Sequence, residues 1–98
     1  MRAKQEGFLD ESFATISAWA EHAAIVHYEP TPKTDAKITE DNFLLLDSGG
    51  HYLEGTTDIT RTFLIGKASP KMIRDYTLVL KSNINLAKAR FIKGTTGK

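Results

Sequence analysis

The first third of the chain alternates apolar and polar positions in a way that predicts β-strands. Over residues 12–19, β-branched and aromatic side chains alternate with small ones, which predicts a strand. A second short strand is predicted over residues 23–28, ending before Pro30 because proline cannot donate to a strand ladder. Residues 29–40 carry two prolines and mixed charges, so they are expected to form a surface connection.

The middle of the chain has the pattern of a β-hairpin. Residues 43–46 form an apolar run, and residues 56–65 form a threonine-rich segment of high β-propensity. Between them lie the flexible Ser-Gly-Gly of residues 48–50 and the Leu-Glu-Gly of residues 53–55, where the reversal is expected.

The last third predicts one long amphipathic helix. Ser69 is a suitable N-cap, and Pro70 suits the first helical position. Apolar residues then recur at helical spacing, at Met72, Ile73, Tyr76, Val79, Leu80, Ile84, Ala87 and Phe91. The helix is expected to end near Gly94, a favourable C-terminal cap.

The order of these elements predicts an α+β fold, with antiparallel strands followed by a single long amphipathic helix. A chain of 98 residues supports one small core at most. One helix covers little of a sheet, so an apolar sheet face and a helix stripe lack partners. We therefore expect the chain to be a piece of something larger or to self-associate.

Composition excludes several classes of function. Thirteen basic against twelve acidic residues leave a net charge of +1, too small to attract nucleic acid or an acidic membrane. Cysteine is absent, which excludes disulfides, thiolate metal sites and a cysteine nucleophile. The first residues are polar and lead into no long apolar run, so neither a signal peptide nor a membrane span is predicted. The expected compartment is the cytoplasm.

Two aspartates in the predicted hairpin, Asp47 and Asp58, need an explanation, because an ionised carboxylate is costly to desolvate. If the chain reverses near Leu53, the two carboxylates lie nearly opposite each other and repel. Protonation of one group, an arginine or a divalent cation would relieve the repulsion. Alternatively, both are solvated residues beside a turn, with Asp58 balanced by Arg61.

The sequence around the aspartates favours one of these alternatives. The stretch LLLDSGGHYLEGTTDITRTF, residues 44–63, taken with AAIVHY, residues 23–28, closely resembles the aminopeptidase P (Xaa-Pro aminopeptidase) branch of the pita-bread metallopeptidases, family M24. The resemblance runs from about residue 13 to residue 94. It implies a partial pita-bread (creatinase/aminopeptidase) fold, with residues 1–98 forming the N-terminal half of a truncated catalytic domain.

The resemblance also implies a site. Asp47 is similar to the carboxylate that chelates one metal of a dinuclear centre, usually Mn²⁺, and Asp58 to the carboxylate that bridges both metals. His27 is similar to the histidine that binds substrate and stabilises the oxyanion. The implied reaction is hydrolysis of the N-terminal Xaa-Pro bond, in peptides with proline at position 2, by a water bridged by two metals. From its position after Asp58, the Thr60 hydroxyl is a candidate to orient a metal-binding carboxylate.

The chain departs from the family pattern in ways that matter. The histidine and two glutamates that complete such centres lie beyond the predicted helix, so the 98-residue chain alone is expected to be inactive. His51 stands where glutamine is frequent, and Glu21 and His22 stand where glycine-containing turns are frequent; both histidines are predicted to be surface residues. The competing hypothesis is a non-catalytic pita-bread module that binds peptides or proteins. Self-association of the chain, or a homo-oligomer of the parent, is also expected.

Overall fold

The computed structural model describes residues 2–97, which form two compact units. The first, here called the sheet unit, runs up to Lys67, and the second, the helix unit, begins at Ala68. The strands of the sheet unit are β1 (Phe8–Glu11), β2 (Ile16–Trp19), β3 (Asn42–Ser48), β4 (Gly50–Tyr52), β5 (Gly55–Thr56) and β6 (Ile59–Ile65). Short 3₁₀ helices span Arg2–Lys4 and Ala20–Ala24, and the helix unit contains α1 (Pro70–Lys88). The predicted α+β class is confirmed.

One antiparallel sheet of the described residues has the order β2-β3-β6 and carries the apolar run of the predicted hairpin. Its central strand, β3, pairs with β2 from Ile16 opposite Asp47 to Trp19 opposite Leu44. On the other side, β3 pairs with β6 along its full length, from Asn42 opposite Ile65 to Ser48 opposite Ile59. Asp47 therefore lies near the end of a strand that has a neighbour on each side.

A second three-stranded sheet among the described residues has the order β1-β4-β5. The reversal predicted at residues 53–55 is present, because β4 and β5 pair on either side of a two-residue turn. The two arms of the hairpin are nevertheless divided between the two sheets, with the breaks at Gly49 and at residues 57–58. Strand β1, which the sequence pattern did not reveal, pairs with β4, and its Phe8 ring packs edge-on against Tyr52 at 5.7 Å between centroids.

The prediction of a strand over residues 23–28 is wrong. Residues Ala20–Ala24 form a 3₁₀ helix and a turn follows, with left-handed backbone at Ala20 (φ 54°) and His27 (φ 55°). A strand cannot continue through such residues, because the left-handed conformation reverses the direction of the chain. The strand predicted over residues 12–19 exists only as Ile16–Trp19. The Ser12 amide instead donates a hydrogen bond to the Gly49 carbonyl, and the Ser12 hydroxyl donates to the Thr57 carbonyl.

The core of the described chain is small and lies in the sheet unit. Its buried apolar residues are Ala18 and Trp19 at the end of β2, and Tyr28 in the turn that follows the second 3₁₀ helix. The Tyr28 hydroxyl donates a hydrogen bond of 2.9 Å to the carbonyl of Thr34, which closes the connection back onto the core. Packing thus concentrates around the segment that carries His27.

In the helix unit, the predicted start of α1 is confirmed and its predicted end is wrong. The Ser69 hydroxyl accepts a hydrogen bond of 3.2 Å from the Met72 amide, and Pro70 occupies the first turn. The helix stops at Lys88, because the backbone of Ala89 is extended (φ −65°, ψ 139°). Phe91 and Ile92 are 62% and 84% exposed, so packing does not hold a further turn.

Candidate metal and substrate site

A cavity of about 410 Å³ in the sheet unit brings together three of the sequence-predicted site residues. Asp47, Asp58 and His27 all line it. The rest of the wall comes from the segment that leads into β2 and from the turn after His27, with Phe13, Ala14, Thr15, Ile16, Tyr28, Glu29 and Pro30. Residues from three separate parts of the sequence therefore face one space.

Asp47 is the more enclosed of the two carboxylates. Its side chain is half-buried, and its Oδ1 atom is buried with no hydrogen-bond partner among the described residues. An acceptor removed from water without a partner costs roughly 1–3 kcal/mol, more if it is charged. A cation bound at that oxygen would remove the cost.

Asp58 lines the cavity from the short break between β5 and β6. It is exposed and lies just before β6, two residues from Thr60, which is the residue directly opposite Asp47. The predicted near-opposition of the carboxylates is thus offset by two positions along the ladder. The offset follows from the register of the hairpin, in which Asp47 is opposite Thr60 and Tyr52 is opposite Gly55, so that the chain reverses at residues 53–54.

The alternative that Arg61 balances Asp58 finds no support among residues 2–97. The Arg61 guanidinium donates instead to the Thr60 carbonyl at 2.8 Å, and the ion pairs found in this range all involve Asp75. Neither aspartate at the cavity is neutralised by a described basic side chain, so the electrostatic need for a cation remains.

Backbone contacts at Thr57 fix the segment that carries Asp58. The Thr57 amide donates to the Gly50 carbonyl at 2.9 Å, and the Gly50 amide donates to the Thr57 hydroxyl at 3.0 Å. The Ser12 hydroxyl donates to the Thr57 carbonyl at 3.0 Å. A Cβ on Gly49 would overlap that carbonyl and the Ser12 hydroxyl, so only glycine allows this approach.

Arg2 holds the segment after Asp47 from the other side. Its guanidinium donates to the Gly49 carbonyl at 3.2 Å and to the Ser48 hydroxyl at 2.9 Å. Sequence reasoning missed Arg2, Ser12 and Thr57, because their partners are distant in sequence or lie across the break in the hairpin. The adjacent Gly49 and Gly50 were the signal that backbone approaches closely there.

His27 presents its side chain at the cavity from a left-handed turn and is exposed. Within residues 2–97 its imidazole makes no hydrogen bond or ion pair, so both ring nitrogens are available to a ligand. Its neighbour Tyr28, in contrast, is only 7% exposed. The turn therefore has one anchored residue beside one accessible residue.

The other residues considered from the sequence, Thr60, His51 and His22, lie in different surroundings. Thr60 is directly opposite Asp47 on β6, so their side chains share a face of the sheet, but Thr60 does not line the cavity. His51 is exposed, as predicted, and its Nδ1 lies 2.8 Å from the Thr56 hydroxyl. His22 is more enclosed than predicted: its ring stacks on Tyr28 at 4.7 Å between centroids, and its Nδ1 is buried without a partner among the described residues.

The donor set fits part of a metal centre. Two carboxylates, one with a buried oxygen lacking a partner, suit a hard divalent cation. No cluster of three or more histidine, cysteine or acidic side chains that could hold a metal ion occurs in the part of the chain that the structure describes. Asp47 and Asp58 can therefore supply two of the ligands, and a complete centre needs others.

Solved structures with the same architecture define the class of protein. The X-prolyl aminopeptidase of Caenorhabditis elegans, described as a cytosolic enzyme with a di-nuclear active site, matches 98% of this chain with a TM-score of 0.84 and 44% identity, over 16% of its own length. Recombinant prolidase from Thermococcus sibiricus matches 89% of this chain with a TM-score of 0.74 and 27% identity, over 23% of its length. The fold is thus part of a pita-bread metallopeptidase fold.

Sequence comparison then assigns the family. The model of metallopeptidase family M24 matches residues 1–98, and the chain belongs to this family. The probable Xaa-Pro aminopeptidase P of Pyricularia oryzae is 50% identical over 99% of the chain, and Aminopeptidase P1 of Arabidopsis thaliana is 47% identical over the same share. The chain spans only 16% and 15% of the lengths of these two relatives.

Helix length and hydropathy bear on membrane insertion. Among the described residues, no helix combines the length and apolar character needed to cross a bilayer.

Proposed function

We propose that the protein carrying this chain is a metal-dependent aminopeptidase that hydrolyses the N-terminal Xaa-Pro bond of peptides. The observation that carries the proposal is the buried Asp47 Oδ1 without a hydrogen-bond partner among the described residues, in a cavity also lined by Asp58 and His27. The relatives named Xaa-Pro aminopeptidase, which match nearly the whole chain, support the substrate class.

In this proposal Asp47 and Asp58 hold divalent cations, with Mn²⁺ as the expected metal and two ions in the complete centre. When bound, such ions supply Lewis acidity at the scissile carbonyl and lower the pKa of water. The di-nuclear active site of the C. elegans enzyme is consistent with two ions. Thr60, on the same sheet face as Asp47, is proposed to orient its carboxylate.

His27 is proposed to bind the substrate. Its imidazole is accessible and makes no hydrogen bond within residues 2–97, so it can donate a hydrogen bond to the substrate carbonyl oxygen as negative charge develops there. A donor placed at that oxygen stabilises the transition state more than the ground state, which is the requirement for a catalytic effect.

For the 98-residue chain by itself we propose no turnover. It represents the N-terminal half of the catalytic domain, and the described residues supply two carboxylates without a third clustered ligand. Two carboxylates hold at most one ion weakly, because a two-metal site needs more ligands. We further propose that the parent works in the cytoplasm, as the cytosolic C. elegans enzyme does, and that the exposed apolar side chains of the isolated chain cause it to self-associate.

The test compares carboxylate variants in two forms of the protein. In the complete protein, Asp47→Asn and Asp58→Asn should each lower kcat/KM for an Xaa-Pro peptide more than about 100-fold, because each removes a charged ligand. Asp10→Asn is the matched control: Asp10 is an exposed carboxylate on β1, away from the cavity, and activity should be unchanged.

Calorimetry with Mn²⁺ on the 98-residue chain gives the second readout. We expect weak binding of at most one ion, lost in both Asp47→Asn and Asp58→Asn and kept in Asp10→Asn. Tight binding of two ions with peptide turnover by this chain would contradict the proposed inactivity. Binding of Xaa-Pro peptides by the complete protein without hydrolysis would favour the alternative, a non-catalytic binding module.

A further inference from the structure

Tyr28 forms a wall between two cavities of the sheet unit. One is the 410 Å³ cavity lined by Asp47, Asp58 and His27. The other, of about 180 Å³, is lined by His22, Tyr28 and Pro30 among other residues. Tyr28 and Pro30 line both cavities, so the contacts that fix Tyr28 also shape the cavity lined by Asp47, Asp58 and His27.

Two contacts fix the Tyr28 side chain. Its hydroxyl donates to the Thr34 carbonyl at 2.9 Å, and the turn that presents this carbonyl is closed by hydrogen bonds from the Thr34 and Asp35 amides to the Thr31 carbonyl. Its ring is stacked on the imidazole of His22, with 4.7 Å between centroids and 18° between planes. The hydroxyl contact fixes the tip of the ring, and the stack fixes its face.

The stack closes the turn that carries His27. His22 lies in the 3₁₀ helix Ala20–Ala24, and its carbonyl accepts a hydrogen bond of 3.0 Å from the Ile25 amide. The chain then runs through left-handed His27 to Tyr28, whose ring returns onto His22. Ile25 and Val26, which lie between the two rings in sequence, are 54% and 81% exposed and add little packing to this turn.

His27 itself has no such anchor. Its imidazole makes no hydrogen bond or ion pair with any residue from 2 to 97, and a left-handed φ of 55° is an uncommon conformation for a residue with a side chain. Its position must therefore come from its neighbours, and Tyr28 is the adjacent buried residue.

We propose that His22 is a positioning residue for His27, acting through the stacked ring of Tyr28. The proposal rests on the proposed function, in which His27 binds the substrate. It assigns a role to the ring of His22 as a flat surface, while its charge and proton transfer are not involved. It also explains why His22, which the sequence predicted to be a surface residue, is half-buried in the 3₁₀ helix that precedes His27.

The decisive experiment is a double-mutant cycle in the complete protein, measured as kcat/KM for an Xaa-Pro peptide. His22→Ala should lower kcat/KM about fivefold, since stacked ring pairs contribute a factor of roughly two to ten. His22→Phe, which keeps a flat ring, should stay within about twofold of the original protein. Glu21→Ala, an exposed neighbour in the same 3₁₀ helix, is the matched control and should leave kcat/KM unchanged.

Coupling to His27 separates a positioning role from general destabilisation. In a His27→Ala background, His22→Ala should have little further effect, because the group that it positions is gone. A full effect of about fivefold in that background would overturn the proposal, and so would His22→Phe being as damaging as His22→Ala. If His27→Ala alone left kcat/KM unchanged, the proposed role of His27 in substrate binding would be wrong.

A measurement that does not depend on activity distinguishes a failure of the positioning role of His22 from a failure of the proposed function. In carbon–proton NMR spectra of the complete protein, His22→Ala should shift the imidazole resonances of His27, while His22→Phe should leave them closer to their original positions. Unchanged His27 resonances in His22→Ala would overturn the positioning role whatever the activity shows. Altered resonances with no effect of His27→Ala on turnover would place the failure in the proposed function instead.

Discussion

The sheet unit and the helix unit are stabilised in different ways. In the sheet unit, strands distant in sequence pair with one another, and the buried apolar residues of the described chain, Ala18, Trp19 and Tyr28, lie in and beside β2. In the helix unit, α1 has an amphipathic pattern but contains no buried residue over Pro70–Lys88. Leu78 and Val79, for example, are 58% and 70% exposed.

The difference shows that an amphipathic pattern predicts where a helix forms without predicting that its apolar face is covered. Local contacts define α1: the Ser69 cap, Pro70 in the first turn, and the ion pair between Lys71 and Asp75. The cap contributes about 1 kcal/mol, whereas helices in proteins usually depend on packing. The candidate site lies in the unit where long-range contacts fix the backbone.

The largest expected effect is on the core. Trp19→Ala should destabilise the sheet unit by about 3–5 kcal/mol, because it removes a nearly buried aromatic ring. Leu78→Ala, at an exposed position of α1, should change the free energy of unfolding by less than about 0.5 kcal/mol. Urea denaturation followed by circular dichroism measures both variants, because tryptophan fluorescence is lost in the first. Equal costs would mean that α1 is packed as firmly as β2.

Glycine substitution tests the backbone approach beside the site. Gly49→Ala should cost about 2–4 kcal/mol, because the added Cβ overlaps the Thr57 carbonyl and the Ser12 hydroxyl. Gly55→Ala is the control: no atom lies within 4 Å of the position that its added Cβ would take, so stability should stay within about 0.5 kcal/mol. Thermal unfolding of both variants gives the comparison. A neutral Gly49→Ala would show that the segment carrying Asp58 can move away from Ser12.

The next smaller effect is expected from the N-cap of α1. Ser69→Ala removes the acceptor of the Met72 amide and should lower helix stability by about 1 kcal/mol, visible as weaker helical ellipticity in far-ultraviolet circular dichroism. Ser82→Ala, inside the same helix, replaces serine with a better helix former and should raise the signal slightly. A loss with Ser69→Ala as small as the change with Ser82→Ala would mean that contacts outside the first turn hold the helix.

The smallest effect is expected from pH. Hydrogen bonds from Lys71 and Arg74 hold the pKa of Asp75 below its ordinary value of 3.8. The contribution of this carboxylate to helix stability is therefore complete above pH 3.8 and is lost as pH falls through the lower, folded-state pKa. Helicity should drop slightly over that interval, and Asp75→Asn should remove the drop. Because Asp75 is exposed, added salt should also weaken its ion pair with Lys71.

The parts of the fold that sequence predicted correctly depend on neighbours in the chain. Ser69 and Pro70 define a helix start by their own chemistry, and the Leu-Glu-Gly of residues 53–55 defines a reversal by the turn that it favours. The parts that it missed depend on side-chain packing and strand pairing that the local pattern does not show. Strand β1 forms against β4, and residues 23–28 turn because Tyr28 packs onto His22 and Thr34.

For the candidate site, the sequence by itself singled out the candidate residues: Asp47, Asp58 and His27 were predicted from their motif. Only the tertiary structure decided that they share one cavity, that the Asp47 Oδ1 is buried, and that Asp58 is offset from it by two ladder positions. The physical reason is that a side chain's identity is local, whereas its desolvation and its neighbours depend on strands supplied by other parts of the chain.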